Sequence, residues 1–389
     1  MPADNWNIES RAIRAGREGS APSLAPILWS TSTFETPDAD SARKMATSIG
    51  AERFYSRYGN PTIADFERAI ADLEGAEAAR AYASGMGAVS GVILGLCSSG
   101  DHIVAQRQIY AGTQLLLQTA CPRFGIDVTF VDATEPGAFA AAVQPGKTVL
   151  VWAETPANPK LDLADLEELG AIAGPMTVVD STFATPIAQQ PLAYGVDLVV
   201  HSATKAIGGH NDATLGVVAG SEELLQWLWS FAVLHGASAS PFDALNGLRG
   251  IRTLPVRFRR QSESASALAE WLEGHPKVAS VSFPGLPSHP QFDLAKRQMA
   301  LPGGILSFDL AGGLDAGRTF VESVELAVMA SSLGGPETLV THPASTTHVN
   351  LTPEELAANG IGQGSIRVSV GLEHPDDLIA DFEQSLSHV

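Results

Sequence analysis

Five short apolar runs constrain this chain more than any other feature: "HIVA" (102–105), "DVTFVD" (127–132), "TVLVWAE" (148–154), "MTVVD" (176–180) and "VDLVVHS" (196–202). They read as strands buried on both faces. Between several of them lie segments of helical composition, such as "LDLADLEELGAIA" (161–173). Unbroken strands alternating with helices mean a mostly parallel sheet covered on both sides.

"NPTIADFERAIADLEG" (60–75) places a helix ahead of this region. Pro61 suits its first turn, Ile63, Phe66, Ile70 and Leu73 mark one face, and Gly75 closes it. Residues 1–60 show little regular pattern and read as an arm wrapping over something else, or as a loose tail. A charged helical stretch from Asp243 to Gly274, interrupted at Pro255, precedes "VASVSFPG", "ILSFDL" and "SIRVSVG". These three alternate as half-exposed strands of a smaller α/β unit. The expected organisation is an arm (1–60), a large domain (61–245) and a C-terminal domain (246–389).

At roughly 150 residues per domain, a chain of 389 residues has room for two or three. Its net charge of −19, from 43 acids against 24 bases, argues against a nucleic-acid partner. Any anionic ligand must be held by individually placed arginines, lysines or amides. Cys97 and Cys121 lie in apolar or small-residue surroundings, are too few for a disulfide framework and form no CxxC pair. They read as small core residues, and no metal site is expected. "MPADNWNIES" lacks the layout of a signal peptide. No uncharged apolar run approaches the roughly 18 residues of a membrane span. The expectation is a cytoplasmic protein without a membrane partner.

Ligands of open α/β sheets gather at the carboxyl ends of the strands. Asp180 ends one run, and Lys205 follows another by a few residues. Pyridoxal phosphate chemistry wants this pair: a lysine to form the Schiff base, and an acid to keep the pyridine nitrogen protonated. Taken singly, such a lysine is more often a salt-bridge partner. "ASGMGAVSGVILGL" (83–96) supplies a phosphate site, with Ser84, Gly85 and Met86 leading into a helix whose free N–H groups face an anion. Gly85, Gly87 and Gly91 also come one residue off the dinucleotide fingerprint. The preceding "ARAYAS" (79–84) is a poor buried strand, however, and no acid is placed to reach a ribose. An NAD-dependent oxidoreductase is therefore the disfavoured reading.

Eight ordered motifs then go together: "YSRYGNPT", "SGMGA", "ETPANP", "VVDSTFATP", "HSATK", "LPSHPQFDLAKRQM", "THPASTTH" and "SIRVSVGLE". On these, over nearly the whole chain, the sequence resembles the pyridoxal-phosphate enzymes of cysteine and methionine metabolism, the transsulfuration family. Members include cystathionine γ-synthases, cystathionine β- and γ-lyases, methionine γ-lyases and homoserine-ester sulfhydrylases. The resemblance implies a fold type I transferase, with a mostly parallel seven-stranded sheet and a smaller C-terminal α/β domain. It implies pyridoxal 5'-phosphate as cofactor, an amino-acid substrate, and a homotetramer built from dimers with shared active sites.

By the same resemblance, Lys205 is the Schiff-base lysine and Asp180 the pyridinium partner. Ser202 and Thr204, with Ser84 and the backbone of Gly85 and Met86, hold the phosphate. Tyr55 and Arg57 complete that site from a neighbouring subunit. Tyr110 stacks on the cofactor ring and serves in proton transfer. Asn158 lies near the ring hydroxyl, although an Asx turn before Pro159 accounts for it equally well. Arg367 grips the substrate carboxylate, and Ser331 and Ser332 face the substrate.

The family's outcomes remain open at this stage. Methionine γ-lyases typically carry a cysteine where this chain has Gly112. Cystathionine enzymes often carry a glutamate where it has Ser331, just before "SLGG". "THPASTTH" leans towards methionine γ-lyases and sulfhydrylases. The favoured reading is γ-elimination on cystathionine or methionine, giving a 2-oxo acid, ammonia and a thiol. Replacement at the γ-carbon of an O-acylhomoserine and β-elimination are the alternatives.

Overall fold

A computed structural model describes residues 6–17, 21–346, 349, 356 and 360–389. Residues 1–5, which open "MPADNWNIES", and Thr347 and His348 of "THPASTTH" lie outside the described residues. All five apolar runs form strands of one sheet. Its members are β1 (Ala78–Tyr82), β2 (His102–Gln106), β3 (Asp127–Val131), β4 (Thr148–Glu154), β5 (Met176–Asp180), β6 (Leu198–His201) and β7 (Gly216–Gly220), ordered β1-β7-β6-β5-β4-β2-β3. β7 runs antiparallel to both neighbours, and the other strands share one direction.

The unbroken runs have a simple cause. In β4, Leu150 and Trp152 pack with Val89, Val92 and Ile93 of the helix Gly85–Leu96. Val151 and Ala153 point the other way, into a cluster with Phe139, Leu166 and Leu169. Neither face is left for water, so no polar alternation survives.

"ARAYAS" corrects one expectation: it contains β1, which pairs with β7. Ala79 and Ala81 face the core, while the half-buried Arg80 is answered by Glu67, so a buried strand hides behind a mixed composition. The dinucleotide reading fails on topology instead. β7, β6, β5 and β4 separate β1 from β2, so the compact βαβ unit is not built.

Other segments also differ from the sequence reading. The arm contains two short helices, Ile8–Arg14 and Ala39–Ala46. Only Leu166–Gly170 of "LDLADLEELGAIA" is helical, capped by Asp165, which accepts from the amides of Glu167 and Glu168. The charged stretch divides into Pro241–Ile251 and Leu254–Glu273, so the break falls before Pro255, which sits in the first turn of the second helix.

A second sheet contains β8 (Val278–Ser282), β9 (Ile305–Leu310), β10 (Val328–Met329), β11 (Leu339–Thr341) and β12 (Ser365–Ser369), ordered β10-β11-β12-β9-β8. β12 is buried throughout and β9 nearly so, rather than half-exposed. They are central strands. Leu306, Phe308, Ile366 and Val368 pack with Leu268, Phe320 and Phe382, while Ile305 joins Leu161, Phe183 and Leu333 on the side of the first sheet. Among the described residues no helix is long and apolar enough to cross a membrane.

The arm is fastened where the helix Pro61–Glu74 begins. Asn60 accepts from Thr62 N (2.9 Å) and donates to Trp29 O (2.9 Å). Thr62 Oγ1 donates to Ile27 O (2.8 Å) and accepts from Trp29 N (2.9 Å). Asn60→Ala removes a cap and strands buried partners. It should therefore cost about 1–3 kcal/mol, read as a lower urea midpoint at unchanged slope. An unchanged midpoint would show that the arm is held elsewhere.

Candidate active site

The carboxyl ends of β4, β5 and β6 open into a cavity of about 390 Å³. β5 delivers Asp180 to its floor, where Oδ1 accepts from Thr182 N (3.0 Å) and Thr182 Oγ1 (2.6 Å). Beside it, in register across the strand pair, β4 delivers Glu154. Both carboxyls are buried. Burial pushes Asp180 up, and the two bonds from Thr182 pull it back towards the ionised form. Glu154 is pushed up to about 8, first by burial and then by the charge of Asp180.

Glu154 went unnoticed in the sequence because it reads as the polar end of a strand. Yet its Oε2 accepts from Tyr110 N (2.7 Å) and its Oε1 from Asn158 N (2.8 Å). One carboxylate thereby sets both loops that bring Tyr110 and Asn158 to the wall. The available signal was "ETPANP" itself: an acid at the carboxyl end of a buried strand, on the rim where ligands gather.

Lys205 enters from the loop after β6. Its Nζ donates to Ser332 Oγ at 2.8 Å. Burial, and then the positive charge of Arg367, lower its pKa to about 8. Ser332 holds φ at +81°, in a loop that places Ser331 and Leu333 on the same wall. β12 contributes Arg367, 5% exposed, which donates from Nη2 to Ser332 O (2.8 Å) and from Nη1 to Asn158 Oδ1 (3.2 Å). Its Nε is buried without a hydrogen-bond partner. Burial lowers its pKa to about 10.

The start of the helix Gly85–Leu96 lines another wall. Ser84 caps the helix Gly85–Leu96 by accepting from Gly87 N (3.0 Å), so the first-turn amides of Gly85 and Met86 need not be spent on it. Glycine is required at 85, since a Cβ there would lie 2.7 Å from Ser202 Oγ. Ser202 and Thr204 also line the cavity, but Thr204 Oγ1 is engaged by the backbone of Leu215 in both directions (3.1 and 2.9 Å).

Tyr55 and Arg57 are not part of this wall. Arg57 packs on the rings of Tyr55 and Tyr58 and donates to Val233 O at 2.8 Å. Tyr110, on the wall, is 46% exposed. The cysteines stay out of the site: burial pushes the Cys121 thiol up to about 11 and Cys97 up to about 12. The amine, the carboxylate pair, the helix-end cradle and the unsatisfied guanidinium fit a phosphorylated, basic-nitrogen cofactor that bonds to lysine.

A model of the Cys/Met metabolism PLP-dependent enzyme family matches residues 9–387. The chain is 43% identical over 384 residues to an L-methionine gamma-lyase of Porphyromonas gingivalis, covering 97% of this chain and 96% of that one. It is also 43% identical to an O-succinylhomoserine sulfhydrylase of Pseudomonas aeruginosa over 386 residues, covering 98% and 95%. Among solved structures it is similar to metB from Corynebacterium glutamicum, with TM-score 0.92 and 35% identity over 100% of this chain and 99% of that one. A cystathionine gamma synthase from Xanthomonas oryzae pv. oryzae, in complex with aminoacrylate and cysteine, matches with TM-score 0.90 and 38% identity over 98% of each chain.

Because the lowered pKa favours the neutral amine, Lys205 should lose its proton as pH rises through about 8 instead of near the usual 10.5. Labelling of cofactor-stripped protein by trinitrobenzenesulfonate, followed at the Lys205 peptide by mass, should rise with that midpoint. Arg367→Met removes a neighbouring positive charge and should move the midpoint upward. An ordinary lysine midpoint in the unaltered protein would contradict the buried geometry.

Proposed function

Since the chain belongs to the Cys/Met metabolism PLP-dependent enzymes, we propose that it catalyses γ-elimination on a sulfur-containing amino acid, best of the methionine type. The products are a 2-oxo acid, ammonia and a thiol. The observation that carries this reading is the charge of the cavity wall. Lys205 and Arg367 are its cations, buried Asp180 and Glu154 its acids, and Met86, Val89, Phe183 and Leu333 are apolar. The amine and carboxylate common to all amino acids use the charges available. A side chain ending in an uncharged thioether suits the rest better than one with a second ionised end, which would be left without a partner.

Pyridoxal 5'-phosphate, when bound, supplies an electron sink that stabilises negative charge on the carbon beside the substrate nitrogen. The chain's own residues do the remaining work in this reading. Ser84, the amides of Gly85 and Met86, and Ser202 would hold the phosphate, Thr204 joining them only by giving up its bond to Leu215 O, and Asp180 would hold a proton on the ring nitrogen. Tyr110 would stack on the ring and Asn158 would meet its hydroxyl, both lining the cavity. Arg367 would take the substrate carboxylate through a charge-assisted hydrogen bond. Ser331 and Ser332 border the substrate side chain. Lys205, neutral above about pH 8, is the base for the α-proton, and Lys205 or Tyr110 returns a proton to the leaving sulfur.

Two observations favour γ-replacement as the second reading. The sulfhydrylase of Pseudomonas aeruginosa is as similar as the methionine lyase. At Gly112, a Cβ would lie 2.5 Å from Tyr110 Cε1, so the side chain typical of methionine lyases would need the Tyr110 ring to move. Purified enzyme offered methionine, cystathionine, homocysteine and O-acylhomoserines separates the readings. Oxo acid released from methionine without added thiol, faster than any thiol incorporation, is the expected result. Incorporation into an O-acylhomoserine as the dominant activity would overturn it.

The reading includes a cytoplasmic homotetramer of dimers, in which Tyr55 and Arg57 serve the neighbour's phosphate site. Arg57, over two tyrosine rings on the arm, supplies a guanidinium fork in a chain of charge −19. Lys205→Ala and Arg57→Ala should each be nearly inactive. Refolded together, they should regain activity in hybrids that carry both residues intact in one site. A mixture as inactive as its parents, with hybrids verified by mass, would place Arg57 in its own chain's service.

A further inference from the structure

Arg257 is a buried cation that the proposed reaction leaves unused. It lies in the helix Leu254–Glu273 and is 4% exposed. Its partners are uncharged: Nη1 donates to Ala206 O (2.9 Å), Nη2 to Gly250 O (2.8 Å) and Nε to Thr253 Oγ1 (3.1 Å). Among the described residues no carboxylate pairs with it. A guanidinium buried without a counter-charge is costly, and burial lowers its pKa to about 10. Such a cost is tolerated where the geometry it enforces matters.

What it enforces is the main chain beside Lys205. Ala206 is the next residue, and Gly250 lies in the last turn of the helix Pro241–Ile251, where a cation is favoured; its carbonyl also accepts from Thr253 N at 3.1 Å. One guanidinium thus ties the lysine's loop to a helix end. The glycines around it report how tight the contact is. Gly209 holds φ at +69°, and a Cβ there would lie 2.0 Å from Nη1 of Arg257. A Cβ on Gly250 would lie 2.2 Å from Ile207 O, and one on Gly334 would lie 2.4 Å from Ala206 N.

We propose that Arg257 is a positioning residue for Lys205, fixing the Ala206–Ile207 peptide next to it so that the amine swings from an immobile main chain. The inference rests on the role of Lys205 given above. Its test is hydrogen–deuterium exchange of the holoenzyme over residues 203–210, in Arg257→Met and Arg257→Lys. The amides there are bonded within the loop: Lys205 N to Ser202 O (3.0 Å), Gly208 N to Ala203 O (2.8 Å) and Gly209 N to Lys205 O (2.7 Å). In Arg257→Met they should exchange at least about tenfold faster, by local opening, while β4 and β5 stay protected. The kcat should fall about a hundredfold at unchanged KM, the cost of a displacement near ~1 Å. Arg257→Lys keeps the charge and one donor group, and should recover part of both effects.

Unchanged exchange at 203–210 overturns the inference. So does acceleration spread evenly over all peptides with a lower melting temperature, which is what a purely structural role would give. If Arg257→Met does not fold, Arg257→Lys, which cannot keep all three of the guanidinium's bonds, reads the same loop. Borohydride treatment of the unaltered holoenzyme separates the two readings, by whether the cofactor becomes fixed at Lys205. Failure to label Lys205 sinks its catalytic reading. Normal labelling with unchanged exchange in the variants sinks the role of Arg257 only.

Discussion

Glu154 and Asp180 stand side by side at the ends of two parallel strands, away from water. Two carboxyls on one dry edge repel each other and must be answered by donors. The loops around them are shaped by that demand. Thr182 turns back on Asp180, while the amides of Tyr110 and Asn158 converge on Glu154. Asn158, once placed, receives Arg367 from the second sheet. The cavity therefore inherits its residues from an electrostatic problem at the sheet's edge. Among the described residues, Lys205, Arg367 and the two acids are the charged side chains of the wall.

Legibility in the sequence followed burial. Strands covered on both faces stood out as apolar runs, and Asp180 and Lys205 could be located because each follows one. β1 was hidden because its packing relies on alanines and on an arginine paired with buried Glu67. β9 and β12 misled for the opposite reason. Ser307, Ser365 and Ser369 are polar residues in buried positions, so the strands alternate in composition without alternating in exposure. The short helices Ala39–Ala46 and Leu166–Gly170 are set by local caps, Asp38 and Asp165, which carry little periodicity.

The site residues were legible to the extent that their chemistry is local. Ser84, Gly85 and Met86 announce a helix start, and the lysine announces itself. Glu154 and Arg257 act through partners far along the chain, at Tyr110 and Ala206 respectively, and no spacing in the sequence reveals such pairings. Ser332 belongs with them. Only the folded chain shows one serine receiving the amine of Lys205 on its hydroxyl and the guanidinium of Arg367 on its carbonyl.

The hold on the backbone of Lys205 has a consequence for competition. An amine whose Cα is fixed and whose methylenes alone can move behaves as a tethered reagent, present at an effective concentration of at least millimolar order. A ligand amine entering the cavity must displace a rival that never diffuses away. Displacement is practicable only if the rival has a resting place that does not return it at once to the contest. Ser332 Oγ, 2.8 Å from Nζ, offers that place, so the tether that makes the lysine quick to act need not make it slow to yield.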